Sequence, residues 1–185
     1  MPPTEKTASV MTKRQRWAAL ALLSAGLVMI TIDMTILFIA LPQLTAELRS
    51  TTTEQLWIVD IYPLILAGLL IPMSAVADRI GRRKALLIGF TLFGLVSLLV
   101  LFATSSAMAI GLRAMLGVAG ALIMPATLSM VRSIFTDPME RTRALAIWSM
   151  FAEVGAIIGP LVGGTLWNSS AGTRPSSSTC PWPSR

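Results

Sequence analysis

Histidine is absent from this 185-residue sequence, and Cys180 is its single cysteine. These absences exclude a disulfide framework within the chain, a metal site with histidine ligands and a catalytic triad with an imidazole base. Charged residues are scarce as well, at 13% of the chain against roughly 25% in a typical globular domain. The sequence contains no evident nucleophile–base pair, metal-ligand cluster or phosphate-binding loop, so we expect neither an enzyme nor a bound cofactor.

Long apolar runs are what the sequence has in abundance. Apolar residues make up 54% of the chain, which is more apolar surface than a soluble chain of this length could cover. A helix needs about 20 apolar residues to cross the hydrocarbon core of a bilayer. Runs of about that length occupy residues 17–41, 57–77, 85–102, 107–131 and 144–166. The first run is too long for a signal peptide. The sequence therefore predicts an all-α, multi-pass protein of the inner or plasma membrane.

Basic residues are distributed unevenly among the predicted loops. Eleven lysines and arginines precede the first span or follow spans two and four, whereas Arg49 is alone in the loop after span one. The positive-inside rule then places the N-terminal segment, residues 1–16, in the cytoplasm. Topology and contact with the lipid bilayer thus account for the net charge of +6, and we expect no nucleic-acid partner.

Four ionisable residues lie inside the predicted spans: Asp33, Asp60, Arg113 and Glu153. Each costs at least about 2.5 kcal/mol if it faces lipid, so such residues usually face a cavity or a partner. A carboxylate can hold either a proton or a lipophilic cation, and competition for one site is enough to couple the two fluxes. The pattern suits a transporter that exchanges protons for cationic drugs. Two alternatives remain open: Asp60 as an interfacial residue near Trp57, and Arg113 as a structural counter-ion. Nothing near Glu153 defines its role.

Glycines mark one face of the fifth span. Gly155, Gly159 and Gly163 follow at four-residue spacing, with Pro160 and Gly164 beside them. Missing side chains let the backbone of another helix approach closely, and proline removes a backbone hydrogen bond and can bend a helix. We expect either an ordinary packing face or a hinge.

Four motifs, in this order along the chain, resemble those of the major facilitator superfamily. The segment from Asp33 to Pro42 resembles the helix-one motif of its fourteen-helix drug:proton antiporter branch. The loop after span two resembles the signature loop between helices two and three, through Asp78, Arg79, Gly81, Arg82 and Arg83. Arg113, with the glycines that follow it, resembles the helix-four motif, and residues 155–164 resemble the helix-five antiporter motif. Residues 55–62 and 120–125 look closest to the QacA-like antiseptic exporters of that branch.

The resemblance covers residues 12–166 and implies five helices of the N-terminal bundle of a proton-coupled multidrug exporter. Its substrates would be lipophilic cations such as quaternary ammonium compounds and dyes. Asp33 and Asp60 match acidic positions that bind cationic drugs and couple protons, and Arg113 matches a coupling residue. Asp78 and the pair Arg82–Arg83 match a latch of the cytoplasmic gate. The chain departs from the family pattern at Ser74, Phe38 and Leu116.

The character of the sequence changes after residue 166. Segment 167–185 has neither a helical period nor strand alternation. One choice of codons with a single inserted base translates it into a string that resembles the family's passage from helix five to helix six. We therefore expect residues 17–166 to be a partial N-terminal domain, followed by a frameshifted tail in which Cys180 has no role. The C-terminal half of the transporter would then be missing and this form inactive. The alternatives are a disordered polar C-terminus and a small membrane subunit that self-assembles or pairs with a separate chain.

Overall fold

The computed structural model describes the backbone of residues 11–171, and the side chains of that range apart from residues 47 and 162–171. The described residues form five α-helices: α1 (Lys13–Glu47), α2 (Thr52–Ile80), α3 (Arg82–Val100), α4 (Ser106–Ile134) and α5 (Pro138–Ala171). All five are long and apolar enough to cross a membrane. The predicted all-α, multi-pass membrane fold is confirmed.

The helices extend beyond the predicted apolar spans because polar caps lengthen their ends. Thr12 and Thr51 each begin a helix with a capping box, in which the threonine side chain accepts from the third helical residue, Gln15 or Glu54, and that residue's side chain accepts in return. One helix end comes earlier than predicted: the third span was expected to reach residue 102, but α3 ends at Val100.

The turn between α2 and α3 is a single residue, Gly81, which has a φ of 96°. This left-handed backbone region is readily occupied by glycine and strained for residues with a Cβ. Gly81 therefore lets two membrane-length helices follow each other with almost no loop.

The bundle is organised around α4, which packs against α1, α2 and α3. The most extensive helix pairs are α2 with α4 and α1 with α5. Large apolar side chains such as Leu64, Ile71 and Leu98 are exposed on α2 and α3, as expected for helices that face lipid or other transmembrane helices.

Helices α1 and α5 run side by side in one register along most of their length. Near their N-terminal ends, Arg16 Nη1 lies 3.2 Å from Glu140 Oε2, a sequence separation of 124 residues. Further along, Gly155 faces Thr31 and Gly159 faces Thr35, which is the same separation. This constant register aligns the charged, apolar and glycine-containing segments of the two helices.

The Arg16–Glu140 ion pair makes a small and salt-sensitive contribution to stability. Both side chains are 29% exposed, so we expect Glu140→Gln to lower the free energy of unfolding by about 0.2–1 kcal/mol. The loss should shrink in high salt, because the charges are partly in solvent. Unfolding of the purified chain in detergent at low and high salt measures both effects. Arg143→Gln, an exposed cation near the same end of α5, is the control, and an equal loss in both variants would contradict the prediction.

Candidate functional site

A buried ion pair joins α1 to α4. Arg113 is 4% exposed, and its Nη1 donates a hydrogen bond to Asp33 Oδ2 at 2.9 Å. Its Nε donates to the backbone carbonyl of Ile58 on α2 at 3.3 Å. The guanidinium also lies over the ring of Tyr62, with Cζ 5.0 Å from the ring centroid. Three groups from two neighbouring helices thus hold one buried cation.

The two members of this pair differ in accessibility. The Asp33 side chain is 21% exposed, whereas that of Arg113 is 5% exposed. Asp33 borders a cavity of about 400 Å³ between α1 and α3, together with Phe93 and Ser97. It also borders a second cavity of about 330 Å³ that extends to the turn between α3 and α4. A ligand in either cavity can reach the Asp33 carboxylate, whereas the Arg113 guanidinium is buried. The carboxylate can therefore exchange its partner while the guanidinium stays in place.

A second polar cluster lies where α2 ends and α3 begins. Arg82 Nε lies 3.1 Å from Asp78 Oδ1, and Arg82 Nη1 donates to the backbone carbonyl of Ser129 on α4 at 3.3 Å. Arg79 and Arg83 are exposed there and make no hydrogen bond or ion pair with the part of the chain that the structure describes. Arg82 therefore ties the α2–α3 turn to the C-terminal half of α4.

The glycines of α5 seat this helix directly on α1. A Cβ at Gly155 would collide with Thr31 Oγ1 and would lie 2.9 Å from the carbonyl oxygen of Val28. A Cβ at Gly159 would collide with Thr35 Oγ1. Both threonine hydroxyls donate to carbonyls of α1 itself, so their polar atoms are satisfied without a partner on α5. This geometry is that of a packing face.

These features occur together with a specific sequence match. The sequence profile described as "Major Facilitator Superfamily" matches residues 23–178. The chain belongs to the Major Facilitator Superfamily. This is a superfamily of transporters, so the expected family and the expected multi-pass membrane location are confirmed.

Individual relatives in this superfamily are named for multidrug efflux or for resistance to a toxic compound. The chain is 48% identical over 155 residues to the multidrug efflux pump LfrA of Mycolicibacterium smegmatis, covering 84% of this chain and 31% of LfrA. It is 40% identical over 152 residues to the methyl viologen resistance protein SmvA of Salmonella typhimurium, covering 82% of this chain and 31% of SmvA. The chain thus spans about a third of the length of these curated relatives.

A solved structure shares the fold of this superfamily member. The inward-facing, unoccupied bacterial homologue of the human lysosomal transporter Spinster superposes with a TM-score of 0.77 at 21% sequence identity. The match covers 88% of this chain and 36% of that one.

The structure brings together two of the four charged residues predicted within the spans of this superfamily member. Asp33 and Arg113 form the pair, and Arg113 is thus a counter-ion of Asp33. Asp60 is exposed on α2 in a shallow groove of about 560 Å³ that it shares with Trp57. Glu153 is exposed on α5. Neither Asp60 nor Glu153 makes an ion pair or side-chain hydrogen bond with any described residue.

Three partners at these sites were not anticipated from the sequence: Tyr62 beneath Arg113, Thr31 opposite Gly155, and the Ser129 carbonyl bound by Arg82. Tyr62 is the only tyrosine in the chain, and its place inside an apolar span was a usable signal. A backbone carbonyl has no signal in the sequence, because every residue carries one.

The C-terminal end of α5 can be described in part. Pro160 lies within α5 and is exposed, and Gly163 and Gly164 continue the helical backbone. The backbone remains helical to Ala171, so the first residues of the predicted tail extend α5. The rest of that tail, including Cys180, lies outside the described residues.

Proposed function

We propose that these five helices form part of a proton-coupled multidrug exporter that moves lipophilic cations, such as quaternary ammonium compounds and dyes, out of the cell. The observation that supports this proposal most directly is the Asp33–Arg113 pair, in which a partly accessible carboxylate faces a buried guanidinium. Ionisable residues inside a membrane bundle are costly, so they are usually paired and mark the pathway of a substrate or ion. In this proposal the N-terminus lies in the cytoplasm, and the basic α2–α3 turn lies on the same side.

Asp33 would carry the exchange itself. With its proton removed, the carboxylate can pair with Arg113 or with a cationic substrate. With the proton bound, the carboxyl group is neutral and forms an ion pair with neither of them. A proton and a cationic drug therefore compete for the same oxygens. The names of the relatives support this substrate class, since one is a multidrug efflux pump and another confers resistance to methyl viologen, an organic dication.

Asp60 and Glu153 would contribute to substrate binding or proton coupling from exposed positions on α2 and α5. The groove at Asp60 is largely apolar and contains the indole of Trp57. An aromatic face beside a carboxylate suits a flat organic cation, because both the ring quadrupole and the carboxylate attract positive charge.

The α2–α3 turn would act as a latch of the cytoplasmic gate, formed by Asp78, Arg79, Gly81, Arg82 and Arg83. In the LfrA fusion described below, we expect Arg82→Lys to reduce ethidium export roughly two- to tenfold. Lysine lacks the fork of donors that reaches both Asp78 and the Ser129 carbonyl. Lys84→Arg is the matched control, because Lys84 is an exposed cation beside the same turn and makes neither contact. Equal export by the two variants would argue against a role for this bridge.

The 185-residue chain by itself is proposed to be inactive in export. Its exposed carboxylates, Asp60 on α2 and Glu153 on α5, are costly in contact with lipid and would require helices from a C-terminal half of the transporter as partners. The second candidate is a small subunit that self-assembles or pairs with a separate chain, and the surfaces around these carboxylates would then be its interfaces.

Ethidium efflux from energised cells tests both proposals. Two proteins are compared with and without a protonophore: the 185-residue chain, and a fusion in which residues 1–166 replace the matching segment of LfrA (the LfrA fusion). Protonophore-sensitive efflux by the fusion alone is the expected result. Efflux by the 185-residue chain would favour the self-assembling subunit. Efflux by the fusion that a protonophore does not affect would reject proton coupling.

A further inference from the structure

Tyr62 lies in the contact between α2 and α4. Its side chain is fully buried and packs in one core cluster with Leu112 and Leu116 of α4. The guanidinium of Arg113 lies over its ring at 5.0 Å. A cation held over an aromatic face is attracted by the ring quadrupole, and the attraction is strongest where water is excluded.

Two glycines of α4 make room for Tyr62. A Cβ at Gly117 would lie 2.8 Å from the backbone oxygen of Tyr62, and a Cβ at Gly120 would lie 3.3 Å from its hydroxyl oxygen. The α4 backbone therefore contacts both ends of this residue. This close fit restricts movement of the ring away from Arg113.

The hydroxyl group of Tyr62 is buried and has no hydrogen-bond partner among the described residues. A buried donor without an acceptor is destabilising, so packing alone would favour phenylalanine at this position. The ring face is the part that contacts Arg113, and a role for Tyr62 at the ion pair must depend on the ring.

We infer that Tyr62 is a positioning residue for the coupling of protons to substrate, because its ring keeps the Arg113 guanidinium against Asp33 throughout the exchange. This inference rests on the proposed function of Asp33. When a proton or a cationic substrate occupies the carboxylate, Arg113 loses its anionic partner. The Tyr62 ring and the Ile58 carbonyl then keep the guanidinium in place, where its charge opposes the arrival of a second cation. Without the ring, the guanidinium can move away from Asp33. The carboxylate can then release a proton without binding substrate, or release substrate without binding a proton.

The test separates coupled from uncoupled transport in inside-out vesicles that contain the LfrA fusion. Ethidium accumulation driven by an imposed pH gradient measures coupling, and ethidium equilibration down its own gradient measures uncoupled movement. The variants Tyr62→Leu and Tyr62→Met remove the aromatic face, and methionine fills irregular core space well. Tyr62→Phe keeps the face and removes the hydroxyl. Phe135→Leu is the control, since Phe135 is a fully buried aromatic residue that packs against Trp17, away from the ion pair.

Tyr62→Leu and Tyr62→Met should lower gradient-driven accumulation about tenfold or more, the size expected for loss of a desolvated cation–π contact, with downhill equilibration within about twofold. Tyr62→Phe and Phe135→Leu should keep both activities. The inference is overturned if the leucine and methionine variants stay coupled, if they lose both activities together, or if Tyr62→Phe is as uncoupled as they are. A parent fusion without gradient-driven accumulation would overturn the proposed function as well, which distinguishes that failure from the others.

Discussion

Replacing Asp33 by asparagine in the LfrA fusion is expected to abolish gradient-driven ethidium export. Asparagine keeps the size of the side chain but can neither bind a proton near neutral pH nor attract an organic cation as a carboxylate does. Arg113 would remain buried beside a neutral group. Ethidium accumulation in inside-out vesicles under an imposed pH gradient measures the loss. If Asp33→Asn still concentrated ethidium, Asp33 would not be the coupling group.

A double variant separates this functional effect from a loss of folding. Removing one member of a buried ion pair costs about 3–5 kcal/mol, whereas replacing both by apolar residues of similar volume is often neutral or stabilising. We therefore expect Asp33→Leu alone to destabilise the chain strongly. Asp33→Leu combined with Arg113→Met should recover most of that stability and still not transport. Unfolding in detergent gives the first result and vesicle accumulation the second. Export by the double variant would show that the ion pair is structural.

Substitution of Gly155 by alanine is expected to destabilise the bundle by overpacking the contact between α1 and α5. The new Cβ would meet the Thr31 hydroxyl and the carbonyl oxygen of Val28, and a backbone oxygen of α1 cannot move without shifting the helix. Overpacking of this kind typically costs about 1–3 kcal/mol. In the fusion, the separation of α1 from α5 should also impair export.

Gly111→Ala is the matched control for this experiment. Gly111 lies on α4, and a Cβ there would meet nothing within 4 Å. Alanine is a better helix former than glycine by about 0.5–1 kcal/mol, so this variant should be slightly more stable than the parent chain. The two substitutions therefore have opposite expected signs. Unfolding curves of both variants in the same detergent decide the matter, and equal stabilities would mean that α1 and α5 are not in close contact at Gly155.

Much of the fold could be predicted from local features of the sequence. The hydropathy of each apolar run reports its transfer into lipid, a sum over neighbouring residues that requires no knowledge of the rest of the chain. The capping threonine Thr51 and its partner Glu54 are likewise three residues apart and readable as a pair. The C-terminal end of α3 was predicted two residues beyond its position in the structure. Leu101 and Phe102 are apolar, but they follow the last helical residue, Val100.

The sequence could predict which residues are candidates for the site, but not which of them are in contact. Asp33, Asp60, Arg113 and Glu153 stood out because charge is costly in a bilayer, but that argument treats all four alike. The structure distinguishes them: Asp33 and Arg113 pair across 80 residues of sequence, whereas Asp60 and Glu153 are exposed. The difference depends on how each helix is rotated about its axis, and hydropathy averaged over a span does not contain that rotation.

The sequence by itself therefore determined that this protein is a bundle of membrane-spanning helices with costly charges and glycine-lined faces, since transfer energies and helix caps are local properties. Only the tertiary structure decided which acid meets Arg113, that the Tyr62 ring lies beneath it, and that α5 is seated on the threonines of α1. Each of these contacts joins residues far apart in the chain. Their geometry depends on how the helices pack, and glycines that face a neighbouring helix allow a close approach only in certain orientations.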